Sequence, residues 1–187
     1  MFFKRTKVSA EDEEDEEDEE DDKVYDGDVP SFFLYRPGAR VPKTVTRVRI
    51  HRSVANVPDM AFVGCAKLYE VELHPGIEGI GRQAFWNCVS LSRINLVDAT
   101  GLHIISAMAF QYCTSLRRIR MPPSIEVIEC LAFGGCKSLR TVRLNDGLRI
   151  IEGKAFAGCS SLSRIDIPSS VIAMDKDAFL DCPFVGR

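Results

Sequence analysis

The sequence predicts a β-rich solenoid, in which short coils of similar sequence stack along one axis. The frame Ala-Phe-x-x-Cys-x-x-Leu recurs along the 187-residue chain, and successive copies start 23, 25, 23, 23 and 23 residues apart. A fixed period in this range is the signature of a solenoid. Each period also contains a short stretch in which apolar and polar residues alternate, as they do in a strand with one buried face. The copies begin at Ala61, Ala84, Ala109, Ala132, Ala155 and Ala178, and the last one ends at Cys182.

Each repeat consists of three parts. The first is a Leu-x-x-Ile-x-Leu stretch, as at residues 116–121, whose last four positions alternate and predict a strand. A turn and a second apolar pair follow, here Ile125 and Ile128, and the Ala-Phe step then closes the coil in a tight turn or a short helix. One coil cannot bury its own apolar face, so like residues should stack in ladders on neighbouring coils. The thickest ladder should consist of Phe62, Phe85, Phe110, Phe133, Phe156 and Phe179.

The register of the repeats divides the chain into three regions. We expect an acidic tail at residues 1–23, a cap segment at 24–44 that covers the first coil, and a solenoid of about six coils, the last incomplete, at 45–187. We expect one right-handed coil and one parallel sheet of about six short strands between residues 45 and 167. The one departure from the register lies at residues 97–101, where two extra residues lengthen a coil.

The charge of the chain is divided between the tail and the body. Residues 1–22 carry a net charge of −9 and residues 23–187 a net charge of +6. The twelve consecutive Glu and Asp residues at 11–22 repel one another and have nothing to bury, so they should be disordered. The tail is either a solvated appendage or a segment that contacts the basic face described below.

The sequence contains no apolar run of the length that a membrane helix needs, about 18 residues. The start, Met1-Phe2-Phe3-Lys4-Arg5, has no apolar core before its charges, unlike a secretory signal. We therefore expect an intracellular protein, cytoplasmic or nuclear, whose thiols remain reduced.

These repeats closely resemble the BspA-type leucine-rich repeats, whose unit reads Leu-x-x-Ile-x-Ile-Pro-x-Ser-Val-x-x-Ile-Gly-x-x-Ala-Phe-x-x-Cys. Residues 119–125 (Ile-Arg-Met-Pro-Pro-Ser-Ile), 165–171 (Ile-Asp-Ile-Pro-Ser-Ser-Val) and 77–85 match this unit well, and the likeness extends over about residues 45–182. The resemblance implies a curved, leucine-rich-repeat-like coil with a parallel sheet on one face and short turns or helical steps on the other. It also implies protein contacts, as in surface adhesins of bacteria and protists, without naming a ligand.

The cysteines are predicted to be packing residues rather than metal ligands. Zinc needs ligands that converge from short spacings, and a linear ladder does not supply them. Free cysteine is among the most buried residue types. Cys130 stands outside the register, so we expect it to be more exposed and to react faster. The six in-register cysteines are Cys65, Cys88, Cys113, Cys136, Cys159 and Cys182.

No pattern in the sequence indicates catalysis, a cofactor or a metal. His51 and His74 share a register, but two imidazoles without a nearby carboxylate or thiol make a poor metal site, and His103 has no evident partner. A glycine-rich phosphate loop, a nucleophile elbow and paired carboxylates are all absent from the sequence. We therefore expect a protein that is not an enzyme and has no cofactor.

The outward face of the predicted strands is rich in arginine. Strands in a sheet lie about 4.8 Å apart, so like charges on this face repel one another unless something offsets them. Arginine's planar fork also suits carboxylate and phosphate. Asn95, Thr141 and Asp166 occupy other outward positions, and Glu70 and Glu72 interrupt the stripe. The seven arginines of the predicted partner-binding face are Arg47, Arg49, Arg93, Arg118, Arg120, Arg143 and Arg164.

The leading interpretation is a scaffold that binds a protein partner through this arginine face. An acidic segment is the obvious ligand, and the tail of the chain itself is one candidate. Nucleic-acid binding by the same face is the alternative, although the body has a modest charge and no aromatic residues between the arginines. A third possibility is a truncated copy of a larger repeat protein, because the sequence stops inside a repeat. The oligomeric state stays open.

Overall fold

The computed structural model describes residues 32–183, and the acidic tail lies outside these residues, as does its expected contact with the arginine face. The described part of the chain is a parallel β-solenoid of about six turns with almost no helix, which confirms the predicted fold class. None of its helices is long and apolar enough to cross a membrane. The strands within residues 32–183 are β1 (Phe33–Tyr35), β2 (Arg47–Ile50), β3 (Asn56–Val57), β4 (Glu70–Glu72), β5 (Gly79–Ile80), β6 (Arg93–Ile94), β7 (Ile104–Ile105), β8 (Arg118–Arg120), β9 (Val127–Ile128), β10 (Thr141–Arg143), β11 (Ile150–Ile151) and β12 (Ala173–Met174).

The strands predicted from the alternating stretches form an interrupted sheet. A four-stranded parallel part has the order β1-β2-β4-β6, and β8 pairs with β10 in a separate two-stranded part. The interruption falls at the lengthened coil, where a short 3₁₀ helix, Leu96–Asp98, replaces the end of the strand. No strand forms around Arg164 in the described residues. The expectation of one continuous sheet as far as residue 167 is therefore wrong.

A second parallel sheet runs along the other side of each coil. It is six-stranded, with the order β3-β5-β7-β9-β11-β12, and each strand is only two residues long. The second apolar pair of each repeat supplies its inward residues, such as Ile80 and Ile128, which are fully buried. The pairing of β5 with β7 places Ile80 opposite Ile105, so this sheet continues across the lengthened coil.

The Ala-Phe steps are turns that add a third column of bonds between coils. In five of the six steps the Phe N–H donates to the Ala carbonyl of the next coil, with N···O distances of 2.7–2.8 Å. The residue before each in-register cysteine has a positive φ of 58–71°. Glycine, asparagine and aspartate tolerate this conformation best, and Tyr112 is the exception among the six. These residues are Gly64, Asn87, Tyr112, Gly135, Gly158 and Asp181.

The phenylalanine ladder forms the centre of the core, as predicted. Neighbouring rings of the six in-register phenylalanines stack with centroids 5.0–5.2 Å apart and interplanar angles of 2–9°. At the first coil the ring of Tyr35 lies 5.0 Å from Phe62 at 59°, and β1 pairs with β2. At the last coil, by contrast, Ile172, Met174 and Leu180 are 71%, 50% and 44% exposed. The two ends of the described solenoid are thus covered unequally.

Candidate interaction surface

The first two arginines of the predicted face are held by ion pairs. Arg47 Nε lies 2.6 Å from Glu70 Oε2, and Arg49 Nε lies 2.5 Å from Glu72 Oε2. The pairs join β2 to β4, in which Arg47 and Arg49 stand opposite Glu70 and Glu72. The hydrogen bond and the charge of Glu72 raise the pKa of Arg49. The two glutamates that interrupt the stripe in the sequence are therefore partners of the preceding strand.

The same two guanidinium groups also lie over the ring of Phe32. Their Cζ atoms are 3.9 Å (Arg47) and 4.6 Å (Arg49) from the ring centroid, within the range of a cation–π interaction. The two cations of β2 thus already contact carboxylates and an aromatic face.

The strands β8 and β10 present a different arrangement. Their outward positions are Arg118, Arg120, Thr141 and Arg143, which are all exposed, and none of the four is a carboxylate. In the ladder Arg118 stands opposite Thr141, and Arg120 stands opposite Arg143. Two cations thus occupy directly opposed positions on neighbouring strands.

Two further arginines, Arg117 and Arg140, come directly before these strands and are exposed. Both residues were omitted from the predicted face, because only the alternate, outward positions of each strand were considered. The two adjacent arginines at 117 and 118 were a sign in the sequence that the basic region is wider. We call the group on β8, β10 and the residue before each strand the basic surface. Its members are Arg117, Arg118, Arg120, Arg140 and Arg143.

The remaining two predicted arginines lie at the edges of this group. Arg93 is exposed on β6, beside the interruption of the sheet. Arg164 lies past β10 in a segment without strand structure, and its Nε is 3.8 Å from Asp166 Oδ1, with both side chains more than 80% exposed. A pair of this kind contributes little free energy. The seven predicted arginines are therefore not one uniform stripe.

Asn95 does not point its amide outward as an alternating strand would require. Its Oδ1 accepts the Leu73 N–H at 2.7 Å, and its Nδ2 donates to the Leu73 carbonyl at 3.1 Å. Nδ2 also donates to Asp98 Oδ2 at 2.9 Å. The side chain thus replaces the backbone pairing that the shortened β6 cannot give to the strand before it.

The paired histidines have a structural role in turns. In each ring Nδ1 accepts the backbone N–H two residues later, from Ser53 to His51 and from Gly76 to His74, at 3.1 Å. This bond leaves the proton of His74 on Nε2, which donates to the Val54 carbonyl at 3.1 Å. Among residues 32–183 no group of three or more His, Cys, Asp or Glu side chains is placed to hold a metal ion.

The in-register cysteines are free thiols with a regular hydrogen bond. From Cys88 onward, each Sγ donates to the Phe carbonyl of the preceding coil at 3.1–3.3 Å. Burial raises the pKa of Cys88 and Cys136 to about 12. Five of the six are buried, whereas Cys182 and the off-register Cys130 are partly exposed.

Comparison with known proteins places these features in one family. The family model described as "BspA type Leucine rich repeat region" matches residues 42–129 and 103–185, with six copies. No protein of curated function matches the chain.

Several solved structures are similar. A leucine-rich repeat protein of T. pallidum is 29% identical with a TM-score of 0.62, and the match covers 68% of this chain and 67% of that one. A leucine-rich repeat protein of Eubacterium ventriosum is 25% identical with a TM-score of 0.68, over 78% of this chain and 43% of that one. One from Bacteroides ovatus is 26% identical with a TM-score of 0.51, over 68% and 38%. The chain therefore spans less than half the length of two of these proteins.

Proposed function

Because the chain belongs to the BspA-type leucine-rich repeat family, we propose that it is a non-catalytic scaffold that binds an acidic segment of a partner protein through the basic surface. Leucine-rich repeat proteins generally mediate protein interactions, and the relatives of this chain are typically non-enzymatic scaffolds. The seven free thiols suit a reducing compartment, so we place this activity inside the cell.

This proposal rests on Arg120 and Arg143, which stand directly opposite each other on β8 and β10. No outward residue of these two strands is acidic. Like charges directly opposite each other destabilise a sheet. On β2 and β4 the outward arginines stand opposite Glu70 and Glu72, whereas the outward positions of β8 and β10 hold no acidic residue. Carboxylates of a partner protein would offset the repulsion between Arg120 and Arg143, and arginine binds carboxylates through two parallel hydrogen bonds.

A protein ligand fits this surface better than a nucleic acid does. Proteins that bind single strands stack the bases on aromatic side chains, and no outward residue of β8 or β10 is aromatic. Duplex binding would give an affinity that falls steeply with salt and does not depend on sequence. Such a result with duplex DNA would replace the proposal with its nucleic-acid alternative.

The test compares two double variants of equal charge. Arg120→Glu with Arg143→Glu alters the basic surface, and Arg82→Glu with Arg149→Glu removes the same charge elsewhere. The probe is a labelled peptide of alternating glutamate and serine, measured by fluorescence anisotropy at low salt. We expect the first variant to bind at least about tenfold more weakly, and the control to stay within about twofold of the wild type. Equal losses of peptide affinity in both variants would mean that the peptide is attracted only by the overall charge of the protein, which would contradict the proposal.

A further inference from the structure

The outward positions of the second sheet form a row of apolar side chains. In the ladders that join β7, β9, β11 and β12, Val127 stands opposite Ile104, and Ile150 stands opposite both Val127 and Ala173. Ile104 is 39% exposed and Ala173 is exposed, whereas Val127 and Ile150 are half-buried. The row begins at β7, because β3 and β5 have asparagine and glycine at this position. We call Ile104, Val127, Ile150 and Ala173 the apolar row, and a continuous exposed apolar surface of this kind indicates a contact site.

Carboxylates border this row on one side. Glu129, Glu152 and Asp175 come directly after β9, β11 and β12, so they share one register on neighbouring coils. The Ala107 N–H donates to Glu129 Oε2 at 2.8 Å, which holds that carboxylate in place. The Cys130 N–H does the same for Glu152 Oε2 at 2.9 Å. Among residues 32–183 no basic side chain forms an ion pair with any of the three carboxylates, which we call the acidic border.

The other side of the apolar row is mixed in charge. The residues directly before the four strands are His103, Glu126, Arg149 and Ile172. His103 Nδ1 lies 3.9 Å from Glu126 Oε1, and Arg149 is exposed. Arg149 repels a cation on this side, whereas the acidic border attracts one. A ligand that has both apolar and basic residues is therefore oriented, with its cations over the acidic border.

We propose that the apolar row and the acidic border dock a basic amphipathic α-helix of a partner protein. Apolar side chains of the helix pack on the row, and its lysines or arginines pair with Glu129, Glu152 and Asp175. Docking of an apolar helix face on a complementary surface is a common mode of recognition. This site does not depend on the basic surface, which belongs to the first sheet and to which we assign a ligand of opposite charge.

The spacing of the coils favours a helix that lies along the solenoid axis. Neighbouring coils are 5.0–5.2 Å apart at the phenylalanine ladder, measured between ring centroids. One turn of an α-helix rises about 5.4 Å, so one apolar residue per turn meets one coil, with a mismatch of about 1 Å over four coils. An extended segment would fall out of step, because side chains on one face of a strand repeat every ~6.6–6.8 Å.

The test uses a labelled peptide of about 15 residues, a length at which a helix becomes stable enough to form on binding. It has leucine at every third or fourth position, lysine along one side of the leucines, and serine elsewhere. Fluorescence anisotropy with the intact chain measures its affinity, and circular dichroism measures the helix that it gains. Glu129→Gln with Glu152→Gln keeps an acceptor for both backbone N–H groups but removes two charges, so binding should weaken at least about tenfold. Val127→Thr with Ile150→Thr keeps the β-branched shape and makes the row polar, and a similar loss is expected.

The matched control is Asp146→Asn with Asp166→Asn, which removes two acidic charges elsewhere and should stay within about twofold of the wild type. In the wild type the methyl NMR signals of Ile104, Val127 and Ile150 should shift and saturate during the titration. Absence of these shifts would overturn the site, as would equal losses in the control and the Glu129 and Glu152 variant. Binding without a gain of helix would also contradict the proposal. If the protein instead self-associates and Val127→Thr with Ile150→Thr abolishes this, the occupant is a second copy of the chain and the proposed helix is wrong.

Discussion

The cysteine of each repeat occupies a position with two physical requirements. The side chain must fit in the buried core, and it must be a donor if the Phe carbonyl of the preceding coil is to keep its second hydrogen bond, at 3.1–3.3 Å. Alanine would meet the first requirement without the second. Serine could donate, but its hydroxyl costs more than a thiol to bury. The sequence predicted the buried ladder of cysteines. The hydrogen bond from each Sγ to a Phe carbonyl is visible only in the three-dimensional structure.

The buried thiols should make the protein less stable as the pH rises. Burial raises the pKa of Cys88 and Cys136 from 9.0 to about 12. Above about pH 9 the unfolded chain releases these protons and the folded chain retains them, so the free energy of unfolding falls with increasing pH. The loss should be about 1.4 kcal/mol per pH unit for each thiol, between its pKa in the unfolded chain and its pKa in the folded state. Urea unfolding at a series of pH values from about 8 to 10 measures this slope.

Alanine at Cys88 and Cys136 is the matched control for that slope. The double variant should be less stable at neutral pH, because it loses two hydrogen bonds, but its stability should fall less steeply with pH. Equal slopes in the wild type and the double variant would contradict the linkage.

At the scale of secondary-structure elements, the sequence predicted the features that all repeats share and missed features such as the second sheet and the altered coil at Asn95. The 23-residue register predicted the coils and the phenylalanine ladder, because stacking identical units leaves few alternatives. It did not predict the second sheet, since strands of two residues are too short to show alternation. The Asn95 side chain was also predicted to point outward. The effect of the two extra residues of the lengthened coil on hydrogen bonding depends on the backbone path, which the register does not show.

The candidate surface shows the same limit. All seven predicted arginines except Arg164 lie on strands, but the register alone could not show that Arg47 and Arg49 are bound by glutamates of the next coil. Side-chain pairing across strands depends on rotamers as well as on register. Arg117 and Arg140 were missed because they precede the strands.

The position of a phenylalanine in the ladder should determine the cost of removing it. Phe110 is fully buried between two stacked rings, whereas Phe179 is only partly buried. Phe110→Ala should lower the free energy of unfolding by about 3–5 kcal/mol through lost burial and a residual cavity. Phe179→Ala should cost clearly less, because solvent can fill the space. Denaturant titration of both variants checks this difference, and equal costs would contradict the dependence on burial.

The whole solenoid is a linear stack whose ends differ. Each coil contacts only its neighbours, so local stability depends on what covers each end. At the first coil β1 pairs with β2, and Tyr35 covers Phe62. At the last described coil Ile172, Met174 and Leu180 are substantially exposed, and among the strands of residues 32–183 β12 pairs only with β11. Local unfolding of the described solenoid should therefore begin at its last coil.

Native-state hydrogen exchange measures this asymmetry directly. We expect the amides of β12 and of the last Ala-Phe step to exchange fastest among the hydrogen-bonded amides, those of β2 to exchange more slowly, and those around Phe110 to exchange most slowly. Tyr35→Ala should accelerate exchange in β2 and in the turn at Phe62, because it uncovers the first ring, and should leave β12 unchanged. Equal protection at both ends of the wild type would show that coverage of the first coil adds no local stability. An effect of Tyr35→Ala that reached β12 would show that the stack opens as one unit rather than coil by coil.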